Sequence, residues 1–134
     1  MSDAQGGERT QADVTPRDLH AFGNRSRPRP ARALGDFHLA SEEEPVAPGE
    51  LPLPSGASTF ADPARAPLDG HYHVLPAGTA LPEGLAVVED GPEVVPESPY
   101  EPTHHTIYAT RVMPYTEFRD KFLSLPWRYV GKKG

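Results

Sequence analysis

The sequence predicts a single α+β domain in which strands predominate. Short runs rich in β-branched and aromatic residues recur along the chain, one helical pattern stands near its end, and the strand–helix alternation of a parallel sheet is absent from the sequence. The 134 residues suffice for one core. With 17 prolines and 12 glycines we expect long Pro-rich loops, and 5 Phe, 5 Tyr and 1 Trp supply the bulk of the core.

The first residues differ in composition from the rest of the chain. Residues 1–16 are polar and glycine-rich, which predicts a disordered lead-in before one domain of residues 17–134. This lead-in lacks the apolar core of a Sec signal peptide, and no apolar run in the sequence reaches membrane-spanning length. We therefore expect a protein made soluble in the cytoplasm, whose export would need a signal-independent route.

A first strand is predicted over residues 18–24, followed by a loop of arginines and prolines up to Ala33. Small and apolar residues alternate in this strand with His20 and Phe22. The loop could hold a diphosphate, because guanidinium groups bind phosphate oxygens in a bidentate manner; a solvated flexible loop is the alternative. Its arginines are Arg25, Arg27, Arg29 and Arg32.

The middle of the chain contains strands separated by turns. Residues 34–45 fit either a short strand or a helical turn, and four prolines exclude regular helix from the segment that follows. Residues 55–60 read as a turn that enters a strand. Two further strands, residues 71–75 and 85–89, flank a Pro-Ala-Gly-Thr turn. The four prolines are Pro45, Pro48, Pro52 and Pro54.

The last third predicts a buried strand, a helix and a closing strand. Residues 103–113 have the composition of a buried strand. The helix would begin at Pro114 and end before Pro126, with apolar residues spaced i, i+4 and i+7 and with Glu117 paired to Lys121. The apolar residues are Phe118, Phe122 and Leu125, and those of the closing segment are Trp127, Tyr129 and Val130.

Composition excludes several classes of function. The chain has no cysteine, which excludes disulfides, thiol catalysis and cysteine zinc sites. Its net charge is −6 and its basic residues form no broad surface, so no nucleic-acid-binding surface is indicated. Neither a P-loop nor a Gly-x-Ser-x-Gly elbow is present, and the sequence shows no base beside Ser58.

The histidines allow several interpretations. His71 and His73 would share one face of a strand, and with His104 or His105 they could form a three-histidine metal site. Pocket-lining or surface histidines are the more frequent outcome, and we assign no metal. His104 and His105 would point to opposite faces of their strand, one toward a cleft or the interior.

Two stretches carry a resemblance to a known family. "YHVLPAGTALPEGLAVVED" and "PTHHTIYATRVMPYTEF" resemble the C-terminal half of small NAD-dependent cytotoxic effectors exported by type VI secretion, which have an ADP-ribosyltransferase-like fold. The shared features are a Pro-x-Gly-Thr-x-(Ile/Leu)-Pro turn between strands, a Thr-His-x-Thr-Ile strand and a Met-containing helix entry. The match is strongest over residues 70–120 and weaker over residues 18–60, where "GASTF" resembles a Gly-Thr-Ser-x-Phe segment with Ala57 in place of threonine.

The resemblance implies a split, β-dominated sheet with a C-terminal helix, and NAD as substrate. It implies that Ser58 and His104 are catalytic. The residues it implies for NAD binding are His20, Arg25, Arg27, Ser58 and Thr59. His20 stands where the family leads us to expect arginine, and the usual catalytic glutamate has no secure counterpart, Glu117 and Glu101 being the nearest.

The resemblance further implies that the protein is a toxin that acts in the cytoplasm of a target cell. As an enzyme of the glycosyltransferase class, it would transfer ADP-ribose to a macromolecular target or hydrolyse NAD. A cognate immunity or antitoxin protein would protect the producing cell. The alternatives are a non-catalytic interaction module that retains the fold and a histidine-rich metal-binding domain. Turnover of NAD would distinguish the enzyme from the non-catalytic module. Loss of stability on addition of a chelator would identify the metal-binding domain.

Overall fold

The computed structural model describes residues 11–51, 54–91 and 104–134. A 3₁₀ turn spans Pro63–Arg65, and α1 spans Tyr115–Leu123. In chain order the strands are β1 (Gln11–Ala12), β2 (Leu19–Gly23), β3 (Pro45–Val46), β4 (Ala57–Phe60), β5 (Gly70–Leu75), β6 (Leu85–Glu89), β7 (His104–Ala109), β8 (Met113–Pro114) and β9 (Arg128–Lys133).

Seven of these strands form one antiparallel sheet in the order β9-β5-β2-β4-β7-β6-β1. The short strands β3 and β8 pair with each other in a separate antiparallel ribbon. No neighbouring strands run parallel in the described part of the chain, which agrees with the absence of a strand–helix alternation in the sequence.

The large sheet is divided into two halves. β2 pairs with β5 from Leu19 to Gly23, and β4 pairs with β7 from Ala57 to Phe60. Among the described residues, β2 and β4 pair through His20 and Phe60 alone, a contact we call the junction. One half contains β9, β5 and β2, and the other contains β4, β7, β6 and β1. The predicted β-dominated α+β class with a split sheet is therefore confirmed at this level.

The main core lies between the sheet and α1. Phe118 and Phe122 of the helix are fully buried, and they belong to one cluster with sheet residues such as Leu75 and Ile107. Every residue of β7 is buried. The opposite face of this half carries a second cluster of Ala86, Val88 and Tyr108, so β7 is covered on both faces. This burial explains why its sequence is a continuous β-branched and aromatic run rather than a polar–apolar alternation.

The predicted helix is confirmed, and it ends earlier than its apolar spacing suggested. Pro114 precedes the first helical turn, and the helix ends at Leu123. Leu125 lies beyond the helix yet remains buried in the same core. The Trp127 indole nitrogen donates to the Phe122 carbonyl at 2.9 Å, which holds the turn into β9. This helix is too short to cross a membrane, and no other helix of the described residues has the length and apolarity to do so.

The predicted strands appear close to their expected bounds, except that the buried strand predicted over residues 103–113 ends at Ala109 and is followed by a bend and then by β8. Residue 103 lies outside the described residues. Residues 34–45, which fit either a strand or a helical turn, form turns until β3 begins at Pro45. Residues 1–10 of the predicted lead-in lie outside the described residues, whereas its second part is ordered against the sheet. Its strand β1 pairs with β6, and the buried Thr15 hydroxyl donates to the Pro76 carbonyl at 2.8 Å.

Candidate functional site

Three hydrogen-bonded side chains connect three neighbouring strands of one half-sheet, β4, β7 and β6. Ser58 of β4 lies opposite Thr106 of β7, so His104, two residues earlier, is its diagonal neighbour on the same face. The Nε2 atom of His104 is 3.1 Å from the Ser58 Oγ. Its Nδ1 atom is 2.7 Å from Oδ1 of Asp90, which follows β6 directly. We call Asp90, His104 and Ser58 the relay.

The inner end of the relay is buried and its outer end is exposed. Asp90 is 1% exposed and His104 is 6% exposed, whereas Ser58 is exposed. The second carboxylate oxygen of Asp90 accepts from the Thr106 hydroxyl at 2.6 Å. Both oxygens of this buried carboxylate therefore have donors, which is what makes the burial of a charged group tolerable.

The partners of His104 determine the direction of its hydrogen bonds. An ionised carboxylate only accepts, so the Nδ1–H of the imidazole donates a hydrogen bond to the Asp90 oxygen. A neutral imidazole then has its lone pair at Nε2, and the Ser58 hydroxyl donates to it. The rings of His104 and Phe60 pack in a T-shaped arrangement, with ring centroids 5.3 Å apart, and this contact restricts rotation of the imidazole.

Ser58 and His104 line a cleft of about 250 Å³ between β4 and the arginine–proline loop. Phe22, Phe60 and Leu68 form its apolar wall. Its charged lining consists of Arg29, Arg32 and Asp36. Asp36 accepts from the backbone N–H of Arg32 at 2.6 Å and from its Nε at 3.3 Å, so this part of the loop is held together by its own side chains.

Gly23 explains how the loop comes so close to the sheet. A Cβ at this position would lie 2.5 Å from the Arg27 carbonyl oxygen and 2.5 Å from the Arg29 nitrogen. Because glycine has no Cβ, the loop folds back on the end of β2, where the Arg29 N–H donates to the Phe22 carbonyl at 2.9 Å. This close approach brings Arg29, and after it Arg32, to the cleft.

The structure brings some of the predicted site residues together and separates others. Ser58 and His104 meet in the relay, and His20 lies at the junction, where its Nδ1 donates to the Phe60 carbonyl at 2.9 Å. Thr59 is fully buried and donates to the His105 carbonyl at 3.1 Å, on the face opposite Ser58. Arg25 and Arg27 lie outside the cleft lining, whose arginines are Arg29 and Arg32.

The carboxylates near the site are not those considered from sequence. Glu117 is paired with Arg111 at 2.6 Å and with Lys121 at 3.2 Å on the helix. Glu101 lies outside the described residues. In the described part of the chain, the carboxylates beside Ser58 and His104 are Asp90, which contacts His104, and Asp36, which lines the same cleft; sequence reasoning missed both. The position of Asp90 directly after a strand that neighbours β7 was the available signal, but it required the strand order.

The histidines considered for a metal site lie far apart in the sheet. His71 and His73 belong to β5, which is separated from the His104 strand by β2 and β4. Their partners are the Tyr129 hydroxyl, 2.9 Å from His71 Nδ1, and the Asn24 carbonyl, 2.8 Å from His73 Nε2. Within the residues described, no three histidine, aspartate or glutamate side chains form a group that could hold a metal ion.

Comparison of the chain with protein-family models, with curated proteins and with solved structures finds no match.

Proposed function

We propose that the protein is an NAD-dependent toxin of the ADP-ribosyltransferase type, which transfers ADP-ribose to a target or hydrolyses NAD in the cytoplasm of a target cell. The observation that carries the proposal is the contact between Ser58 and His104, two residues that the family resemblance implies, beside a cleft with two arginines. His20, which the resemblance also implies, bonds to the carbonyl of Phe60 where the half-sheets separate, and it does not line the cleft.

The chemistry of nicotinamide release fits the charges around the cleft. As nicotinamide leaves, its ribose develops positive charge, which nearby carboxylates stabilise. In the proposal Asp36 has this role at the cleft surface, and Arg29 and Arg32 hold the diphosphate in place of the predicted Arg25 and Arg27. The relay residues Ser58 and His104 contact the nicotinamide ribose and orient it for transfer.

Two further features belong to the proposal. The toxin reaches its target cell by export through type VI secretion, and the producing cell makes an immunity protein that neutralises it. A non-catalytic module that acts by binding is the second candidate, which is supported by Ala57 at the position of the family's threonine and by the paired, surface location of Glu117.

Release of nicotinamide from NAD by the purified full chain tests the enzyme. We expect release in the presence of lysate as a source of target, lowered about 100-fold in Ser58→Ala and His104→Ala, because the loss of groups that orient the reacting ribose costs on this scale. Ser55→Ala, a nearby exposed serine outside the relay, serves as the matched control and should keep full activity.

The same experiment separates the candidates. No nicotinamide release with any lysate, together with no NAD binding by calorimetry, would exclude the enzyme and favour the binding module. If Ser58→Ala and His104→Ala both still release nicotinamide at the wild-type rate, the protein is an NAD-consuming enzyme whose site lies outside the relay. An Asp36→Asn variant with full activity would remove Asp36 from the reaction.

A further inference from the structure

The relay has the order of groups found in nucleophilic serine enzymes. An exposed hydroxyl donates to an imidazole, whose second nitrogen is held by a buried carboxylate. Such constellations recur on unrelated folds and are recognised by geometry and roles rather than by sequence motif. The absence of a Gly-x-Ser-x-Gly elbow therefore does not exclude this chemistry, and the base that the sequence did not show is His104.

We infer that Ser58 is an activated nucleophile, with His104 as its general base and Asp90 as the positioning residue that holds the imidazole, and that it attacks small carboxylic esters. This activity needs no NAD and goes beyond the proposed function. The reasons lie in the burial of the relay, the backbone around Ser58 and the lining of the cleft.

Burial makes the relay suited to transfer of a proton. His104 and Asp90 are shielded from water, so the carboxylate stabilises an imidazolium more strongly than it would at the surface. The Thr106 hydroxyl and the edge-on contact with Phe60 fix the carboxylate and the ring. Ser58 is the exposed member and can meet a substrate that enters the cleft.

The backbone of β4 supplies a donor for the oxygen that becomes negative during attack. The Phe60 carbonyl points toward β2, because it accepts from His20. Backbone groups two residues apart in a strand face the same edge, so the Ser58 N–H also faces β2. At that position the half-sheets have separated, and the N–H is directed into the gap beside the cleft. Arg29 adds positive charge to the same opening, where Arg32 is paired with Asp36 at 3.3 Å.

The cleft limits the substrate. Its volume of about 250 Å³ accommodates a short acyl chain, which the wall of Phe22, Phe60 and Leu68 would contact. The arginines favour an ester that carries a negatively charged group. Large lipids and polymers would extend beyond this space.

The reaction balances with water as the second reactant. The Ser58 Oγ forms a bond to the carbonyl carbon while its proton moves to His104 Nε2. The ester C–O bond then breaks, and the imidazolium returns the proton to the departing alkoxide, leaving an acyl-Ser58 and an alcohol. Water attacks the acyl group with His104 again as base, which releases the carboxylic acid and restores the serine.

A fluorophosphonate probe tests the nucleophile in the full chain without NAD. Attack breaks the P–F bond, joins the Ser58 Oγ to phosphorus and transfers the proton to His104, so intact-protein mass spectrometry should show one phosphonyl group per chain. Peptide mapping should place it on Ser58. Ser58→Ala should remove the label, and Ser55→Ala, the exposed serine three residues away, should label at the unchanged rate.

The base and the positioning residue are tested by rates. His104→Gln should slow labelling about 100-fold or more. Asp90→Asn should lower the limiting rate while leaving the probe concentration for half-maximal rate unchanged, a split that a general loss of structure would not produce. Circular dichroism identifies variants that unfold. Because Ser58 is exposed, Ser58→Ala should stay folded and tests the nucleophile even if a buried variant unfolds.

Each outcome decides the inference. Labelling at Ser58 that depends on His104, with Ser58-dependent release of p-nitrophenol from p-nitrophenyl acetate, supports it. No label on the folded wild type, or an equal rate in folded His104→Gln, overturns it. Absence of label with NAD turnover intact would overturn this inference alone, and labelling without NAD turnover would overturn the proposed function alone.

Discussion

At the scale of single residues, the most constrained group is the carboxylate of Asp90. It is buried and accepts one hydrogen bond from His104 and one from Thr106. A buried charge that loses a donor keeps its desolvation penalty, so the hydroxyl of Thr106 matters more than its small size suggests. Thr106 therefore supports the site without lying at its exposed end.

Thr106→Val should destabilise the protein by about 1–3 kcal/mol, because valine fills the same volume and leaves the Asp90 oxygen without its donor. Urea denaturation measures the change. Thr106→Ser is the matched variant, since it keeps the donor and loses a methyl group, and it should be the more stable of the two. Equal stability of Thr106→Val and the wild type would show that water replaces the hydroxyl.

At the scale of elements, an ion network ties the turn before β6 to α1. Arg111 lies 2.6 Å from the Glu83 carboxylate and 2.6 Å from that of Glu117, and Lys121 approaches both acids. The hydrogen bond from Arg111 is the main cause that lowers the pKa of Glu83 from 4.5 to about 2. The same two cations lower the pKa of Glu117.

The network makes stability depend on pH in a defined direction. A carboxylate whose pKa is lowered by folding stabilises the folded state above its unfolded pKa, and this stabilisation disappears as pH falls through the folded value. Arg111→Gln should therefore be less stable than the wild type at neutral pH, and the difference should shrink as pH falls from about 4.5 toward about 2. Thermal melts across this range measure it.

Two controls accompany the measurement. Arg119→Gln removes a positive charge of α1 that lies outside the network, where Arg119 is paired with Asp120 at 3.2 Å. This variant should show no such pH dependence. High salt should weaken the effect of Arg111→Gln, since the carboxylate of Glu83 is exposed. A stability difference that persists at pH 2 would mean that Arg111 acts through packing instead of charge.

At the scale of the whole molecule, the junction is the place where the large sheet is least continuous. His20 contributes its backbone to the pairing and its side chain to the Phe60 carbonyl. His20→Ala should raise the exchange rates of amides beside the junction about 2- to 10-fold, the effect of losing one hydrogen bond on a local opening. Nuclear magnetic resonance hydrogen exchange resolves these amides from those of β5 and β9.

His71→Ala is the control for this prediction, because His71 lies on β5 and bonds to Tyr129 away from the junction. It should leave the amides of His20 and Phe60 unchanged. If His20→Ala also leaves them unchanged, the half-sheets are held together by the helix and the core, and the junction has no separate mechanical role.

The sequence predicted the elements better than their arrangement. Period-two alternation and β-branched runs identified β2, β5, β6 and β7, since these signals are local. The relay was not visible, because Ser58 and His104 are 46 residues apart and Asp90 lies 14 residues before His104. Only the pairing order of the strands brings them together, and that order is decided by tertiary packing.

The assignment of arginines shows the same limit on a smaller scale. The composition of residues 24–33 fitted either a diphosphate-binding loop or a solvated flexible loop, and the pattern gave no reason to prefer one arginine over another. The close approach at Gly23 decides which of them reach the cleft. A glycine at the end of a strand indicates that another part of the backbone comes close to it. The local sequence does not show which segment that is.

Within the described residues, the two half-sheets are joined by a single backbone pair, yet they are interleaved along the chain. The chain passes from one half to the other between β1 and β2, β2 and β4, β4 and β5, β5 and β6, and β7 and β9, and it stays within one half only from β6 to β7. No single cut in the polypeptide would therefore separate the strands of one half from those of the other. The weak boundary within the sheet has no counterpart along the sequence, because neither half corresponds to one continuous segment of the chain.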